Sequence, residues 1–499
     1  QLLTESVLLS FLGGIVGLGI LFCAKGFLLQ IMPDNLPRLN EVSINWTVLL
    51  FALAASLVAG MIFGLAPALH AGRVDLIPML KQEARGSTGS GEQARTRRVL
   101  MVTEFALSLV LMIAAGLLLR SFWDLLSVRP GFNPESVMAV RTWLPVPNDP
   151  DTDIYKTSAQ EAPFVREILR RSRTLPGVEE VAVGDMSAVP LGHGRDDLNP
   201  YALILEGREN QSDQPPLVHA TRVTPSYFHL LGMTLQRGRF LSESDNENAP
   251  QVAVINEAFA RTYWPNDEAV GKHLQLDSGR GGTVNPAWTT VVGVIADART
   301  ESLAESSAPQ IYVSMYQYHP KDLAIFLRGR LDPAATPVAL REQVQLINPE
   351  LPVFRARTLG DVVNASLSER RFSVQMVGMF ALTALLLAGL GIYGVISYIV
   401  SERTHEIGIR LALGAQSRNI LRMVLRQGLL LAISGAAVGL VCALVVSHLM
   451  AGLLYGVRPT DPLTFAGVAL LLIGVALLAC YIPARRAIHV DPLVALRHE

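Results

Sequence analysis

Cysteine is scarce in this chain. There are three in 499 residues, Cys23, Cys442 and Cys480, each inside an apolar run. A disulfide-stapled fold is therefore excluded, and the redox compartment is left unmarked. Charge is scarce as well: Asp, Glu, Lys and Arg make up 17% of the residues, and 42 basic against 43 acidic side chains leave a net charge of −1. No global basic field exists of the kind nucleic-acid binding requires, so no nucleic-acid partner is expected. A phosphate-binding loop, Gly-x4-Gly-Lys-Ser/Thr, is also missing. The best candidate, Gly271-Lys272, is followed by His273 and has Asn266 where the first Gly belongs. There is no Gly-x-Ser-x-Gly elbow. His193-Gly-Arg-Asp-Asp197 combines an imidazole with two carboxylates, but its Gly-rich polar setting before Asn199-Pro200 reads as an exposed loop. The remaining histidines of the polar region, His219, His229, His273 and His319, show no metal-ligand spacing. The expectation is a protein that is not an enzyme and holds no cofactor or metal.

What the chain has is apolar length. Half of its residues are apolar, and the mean hydropathy is +0.34. Six stretches lack charge for roughly the 15–25 residues that a ~30 Å hydrocarbon core demands of a helix: about 6–24, 47–69, 105–119 with its flanks, 372–400, 427–449 and 463–482. In lipid each backbone N–H and C=O must be satisfied within its own segment, so these runs predict helices. The 105–119 run is the shortest, and Val99–Val102 extends it past Glu104. Gly389-Leu-Gly-Ile-Tyr-Gly394 fits a dinucleotide-loop pattern, yet it lies in an uncharged run and reads as small residues for helix packing. The chain opens on Gln1 with no cationic leader, so the first run is read as a span and the chain as a part of something longer.

Orientation follows from the short connections. Segment 70–98 carries Arg73, Lys81, Arg85, Arg95, Arg97 and Arg98; segment 401–426 carries Arg403, Arg410, Arg418, Arg422 and Arg426; the tail carries Arg485, Arg486 and Arg497. These belong in the cytoplasm. The alternating connections, 25–46 and 450–462, hold only Lys25, Arg38 and Arg458. Six crossings then place the polar stretch 121–370 outside the cell membrane.

Two long-range matches point to a duplicated membrane unit: GGIVGL at 13–18 with GAAVGL at 435–440, and RVDLIPML at 73–80 with HVDPLVAL at 489–496. The second copy reads as one span, a large outer domain and three spans. The first begins at its last two spans, so an upstream span, outer domain and further span are expected to precede it. RGSTGSGEQART at 85–96 reads as a flexible linker between the copies. Within the outer stretch short apolar strands alternate with amphipathic helices, which predicts an α+β fold. EAPFVREILRRSRTLPGVEEVAV at 161–183 is a helix stopped at Pro176-Gly177 and followed by a strand. AIFLRGR at 324–330 with 337–357 is strand, helix, strand. Between them, 252–265 is strand then helix and 289–299 a strand. Two subdomains follow, the second inserted in the first.

SERTHEIGIRLALGA at 401–415, directly after a long span, resembles the cytoplasmic coupling segment of MacB/FtsX-type ABC permeases. Residues 223–245 and 255–272 resemble that family's periplasmic core domain, and 481–499 its C-terminal tail. The two-copy layout is similar to the duplicated orphan permeases, which usually carry no fused ATPase. The resemblance implies the following division: 1–84, the last two helices of a first permease unit; 85–98, a cytoplasmic Gly/Ser linker; 99–120, a transmembrane stalk helix; 121–365, a MacB-like periplasmic core domain with its second subdomain at about 186–319; 366–499, an FtsX-like permease domain. It also implies a bacterial inner-membrane location and a lever-like action, with ATP on a separate cytoplasmic ABC ATPase subunit and the two permease units forming a pseudo-dimer within the full-length chain. On a helix, Glu402 and Glu406 are four apart, as are Glu406 and Arg410, while Ile407/Leu411 and Ile409/Leu413 form apolar pairs. Such a charged amphipathic helix can dock in a groove of a soluble partner or lie among lipid headgroups of the bilayer. The resemblance favours docking and names Glu402, Arg403, Glu406, Ile407, Gly408, Arg410, Leu413 and Gly414 as ATPase-coupling residues. The alternative is an ATPase-independent membrane scaffold whose periplasmic domain binds a protein or lipid partner.

Overall fold

A computed structural model describes residues 2–31, 45–71, 90–192, 200–208, 215–277, 287–402 and 416–488. The chain divides into two compact units, one of residues 1–126 with 368–499 and one of residues 127–367.

The first unit opens with three helices, α1 (Leu2–Ile31), α2 (Trp46–Ala71) and α3 (Ser90–Leu126). The linker expected at 85–98 is corrected in part, because α3 already begins at Ser90. Beyond Gly91, the run Glu92-Gln-Ala-Arg-Thr-Arg-Arg98 consists mostly of good helix formers, and it continues the span helix backwards. The stalk expected to end at 120 likewise runs on to Leu126.

The second unit is built on an eleven-stranded sheet. In chain order its elements are β1 (Val137–Trp143), α4 (Ser158–Ser172), β2 (Val178–Asp185), β3 (Tyr201–Leu205), β4 (Leu217–Val223), the single turn α5 (Tyr227–Leu230), β5 (Leu235–Gly238) and β6 (Val252–Asn256). Then come α6 (Glu257–Tyr263), β7 (His273–Asp277), β8 (Thr289–Ile295), β9 (Gln310–Ser314), β10 (Asp322–Gly329), α7 (Ala335–Gln345), β11 (Val353–Thr358) and α8 (Leu359–Ser366). Strands β11, β1, β10 and β2 form an antiparallel layer. Helix α4 supplies Phe164, Val165, Ile168 and Leu169 at helical spacing to one core, with Val181, Val183, Ile325, Leu327 and Leu340. Strands β4, β3, β7, β8, β6 and β9 pair in turn, and a parallel β4–β9 ladder closes them into a ring. Closure leaves no free edge among these six. A second core lies against them, with Leu203, Ile255, Phe259, Leu274, Val291 and Ile311. Layer and ring share one backbone pairing, Gly184 opposite Val223. Asn256 ties the ring to α6: its Oδ1 accepts from Phe259 N (3.0 Å) and Gln310 N (2.9 Å), and its Nδ2 donates to Ala308 O (2.8 Å).

One side chain of this unit is out of balance. Glu161, in the first turn of α4, is 1% exposed, and neither carboxylate oxygen has a hydrogen-bond partner. Burial pushes its carboxyl up to about 9, although Lys321 and Arg222 pull the other way.

The chain then returns to the first unit with α9 (Ser368–Glu402), α10 (Ser417–Leu449) and α11 (Pro462–Ile488). Helices α3, α9, α10 and α11 bury a common core of Phe105, Leu109, Ile113, Ala388, Ile392, Ala432, Leu472 and Ala476. Glycines permit the close approach. Gly435 seats Phe105, Gly439 lies against the backbone of Ala106, and Gly116 faces Thr464. Ser108 Oγ donates to Ala384 O (3.1 Å), joining α3 to α9. At the outer end Arg120 pairs with Asp461, whose Oδ2 also accepts from Thr464 N (2.9 Å) at the start of α11. Helices α1 and α2 pack on one another, with Gly14 against Leu53 and Ser56.

Among the described residues four helical stretches are long and apolar enough to cross a membrane: Arg98–Leu126, Ser368–Ser401, Arg418–Leu449 and Pro462–Arg486. The apolar runs of α1 and α2 among these residues, Val7–Cys23 and Trp46–Val58, are shorter. A membrane protein with a large extramembranous domain is what this architecture supports.

Candidate coupling site at the arginine-rich end of the helix bundle

Helix α9 ends at Glu402 and α10 begins at Ser417, after Gln416 in an extended conformation. Of the coupling residues named from the sequence, Arg403, Glu406, Ile407, Gly408, Arg410, Leu413 and Gly414 lie outside the described residues, as does His193–Asp197. Glu402 is placed as the last residue of α9.

Around that end the bundle gathers cations from three helices. Arg98 lies near the start of α3, Arg418, Arg422 and Arg426 in the first turns of α10, and Arg485 and Arg486 in the last turn of α11. The antiparallel run of α9 against α3 brings Glu402 to this end too. Arg486 Nη1 donates to Tyr393 Oη (3.2 Å), tying α11 to α9. Arg98, Arg422 and Arg426 line one groove of about 860 Å³ together with Asn419, Met423 and Gln427.

The Gly-rich hexapeptide at 389–394 sits in the middle of α9 and forms no strand-to-helix turn. Gly389 meets Val475, and Gly391 meets the carboxylate of Glu104 on α3, where a Cβ would stand 2.7 Å from Oε2. Packing accounts for two of its three glycines, and the one acidic side chain inside the 99–120 run gets its room from Gly391. Sequence reasoning passed over this pair because its members are 287 positions apart.

Among the described residues no three His, Cys, Asp or Glu side chains come together as a metal site. His273 Nδ1 is 2.8 Å from Glu206 Oε2, and His319 Nδ1 is 3.4 Å from Ser158 Oγ. Burial, with Lys321 nearby, holds His319 below its ordinary range. These are isolated pairs and form no catalytic constellation.

Comparison with known proteins divides the chain in two. The MacB-like periplasmic core domain matches residues 106–347 and the FtsX-like permease C-terminal domain matches 378–492. The macrolide export ATP-binding/permease protein MacB of Mannheimia succiniciproducens is 25% identical over 288 residues, 55% of this chain and 42% of that one. The pyoverdine export ATP-binding/permease protein PvdT of Pseudomonas putida is 30% identical over 276 residues, 52% of this chain and 40% of that one. The chain thus spans about two fifths of the length of these relatives. The crystal structure of the periplasmic region of MacB from Actinobacillus actinomycetemcomitans aligns over 48% of this chain and 96% of its own, at 13% identity and a TM-score of 0.31.

Proposed function

The chain belongs to the MacB/FtsX-type permeases of ABC transporters, and from that premise we propose that it couples a separate cytoplasmic ATPase to motion of its periplasmic domain. The observation that carries this reading is the pair of helices flanking that domain in the chain. Helix α3, of 37 residues, precedes it in the chain, and α9, of 35 residues, follows it. At 1.5 Å per residue each exceeds 50 Å, well beyond a ~30 Å hydrocarbon core. A movement imposed at their cytoplasmic ends is transmitted along continuous hydrogen-bonded rods, with no flexible joint within either.

The ATPase contact falls to Glu402, Arg403, Glu406, Ile407, Gly408, Arg410, Leu413 and Gly414, and ATP is held by the partner subunit. Six crossings of a bacterial inner membrane, with a duplicated permease unit of the orphan type, complete the proposal. Neither nucleotide hydrolysis nor a cofactor is assigned to these residues.

Co-purification from membranes with a nucleotide-binding subunit tests it. Glu406→Lys should abolish that association while leaving insertion intact, because reversing one member of a desolvated pair costs several kcal/mol. Arg418→Ala, in the first turn of α10 and outside the segment 403–415, should weaken that association much less. Equal small losses at both positions would mean an interfacial anchor. Reproducible absence of any nucleotide-binding subunit would favour the scaffold reading.

A further inference from the structure

We infer that the groove between the arginine-bearing ends of α3 and α10 binds the headgroup of an anionic phospholipid, with Arg98, Arg422 and Arg426 as its phosphate ligands. Three guanidinium groups from two helices line this single groove. Among the residues whose side chains are described, none of the three is paired with a carboxylate or makes a side-chain hydrogen bond. Elsewhere in the chain arginines find acids readily: Arg166 with Glu247, Arg222 with Asp185, Arg239 with Asp245. A cluster of three like charges on a confined surface repels itself unless a counter-charge enters, and a phosphodiester offers acceptor oxygens matched to the guanidinium fork.

The shape of the groove selects a lipid over a free phosphate. Its wall on α10 runs from Asn419 through Arg422 and Arg426 to Leu430 and Leu431, and ends at Ser434. Asn419 to Leu431 is twelve residues, about 18 Å along the helix axis. The cationic part ends at Arg426, where the uncharged stretch begins, and Leu430 below it is 59% exposed. Polar ligands at the membrane surface followed by apolar wall within the span match a headgroup with its acyl chains. A free phosphate would use only the upper part. The site is independent of ATPase coupling, since its ligands lie on helices that cross the membrane and not in the segment 403–415.

The test uses the whole chain, delipidated in neutral detergent and titrated with dioctanoyl phosphatidylglycerol, dioctanoyl phosphatidylcholine or inorganic phosphate while thermal unfolding is followed. Saturable stabilisation by dioctanoyl phosphatidylglycerol alone is expected. Arg422→Gln with Arg426→Gln should weaken it about 25-fold, and Arg98→Gln alone about fivefold, taking the usual surface contribution of each arginine. Arg418→Gln, on the same helix but outside the groove, should leave it unchanged. Stabilisation by phosphatidylcholine to the same degree would overturn the inference, and so would an equal loss in Arg418→Gln, which would mean diffuse surface attraction. Competition by inorganic phosphate at matching concentration would replace the lipid with a free-anion site. If the double variant does not fold, Arg98→Gln decides alone.

Discussion

Gly439→Ala is the sharpest test of how the membrane helices are held. A Cβ at this position would stand 2.9 Å from both Cα and O of Ala106 and 3.0 Å from Leu109 Cδ2. Ordinary carbon contacts lie near 3.5–4.0 Å, and two of the three atoms are backbone, which no rotamer change can move. The seam between α3 and α10 must therefore open by several tenths of an ångström, loosening the neighbouring fit of Phe105 on Gly435. Overpacking of this kind costs about 1–3 kcal/mol. Alanine also favours helix over glycine by about 1 kcal/mol, which would mask part of the loss. The internal repeat supplies the correction: Gly17 is the counterpart of Gly439, also lies within a helix, and has nothing within 4 Å of its Cβ position. The difference between Gly439→Ala and Gly17→Ala, each read in its own helix, isolates the steric term. Amide hydrogen exchange on α3 and α10 peptides in detergent should show protection reduced about 5- to 150-fold once the propensity gain at Gly17 is added back. Equal changes at the two positions would refute the close-packing account.

Three further outcomes follow from the same structure. Glu161 has its carboxyl raised from 4.5 to about 9 by burial, so the folded domain binds a proton that the unfolded chain releases. Its contribution to stability is full below pH 4.5 and is lost as pH rises towards about 9, amounting to about 3 kcal/mol by pH 7; hydrogen exchange of α4 peptides in Glu161→Gln should lose this dependence, and an unchanged pH profile would sink the assignment. Asn256→Ala leaves Phe259 N and Gln310 N without their acceptor inside a fully buried site, a loss of about 2–4 kcal/mol that faster exchange over 257–263 and 308–312 should report. For topology, in a cysteine-free background Asn266→Cys should react with an impermeant maleimide from outside, and Gln416→Cys only after permeabilisation; the reverse pattern would overturn every orientation assigned.

The chain's local chemistry announced its elements well. A helix stopped at Pro176-Gly177 and the following strand appear as α4 and β2, and the 252–265 stretch appears as β6 and α6. These are signals carried within a dozen residues, by apolar spacing and by chain-breaking side chains. The boundary at the linker was misjudged for the same reason. Gly/Ser content marks a break, but a helix is cooperative, and a strong span recruits the Glu-Gln-Ala-Arg residues before it.

Apolar runs long enough to span lipid, the arginine asymmetry of the short loops and the strand–helix alternation of the outer stretch were therefore determined by sequence alone, because each is enforced locally by backbone hydrogen bonding and by desolvation. Tertiary structure decided which elements meet. Short runs rich in strand-forming residues occupy 217–223 and 310–314, yet nothing in either specifies that His219 pairs with Gln310 in parallel and closes the ring. Likewise Glu104 inside an apolar run is anomalous until Gly391 stands opposite, and Arg98 belongs with Arg422 and Arg426 only once α3 and α10 lie side by side. Burial is a property of pairs of surfaces, and a one-dimensional pattern names only one surface of each pair.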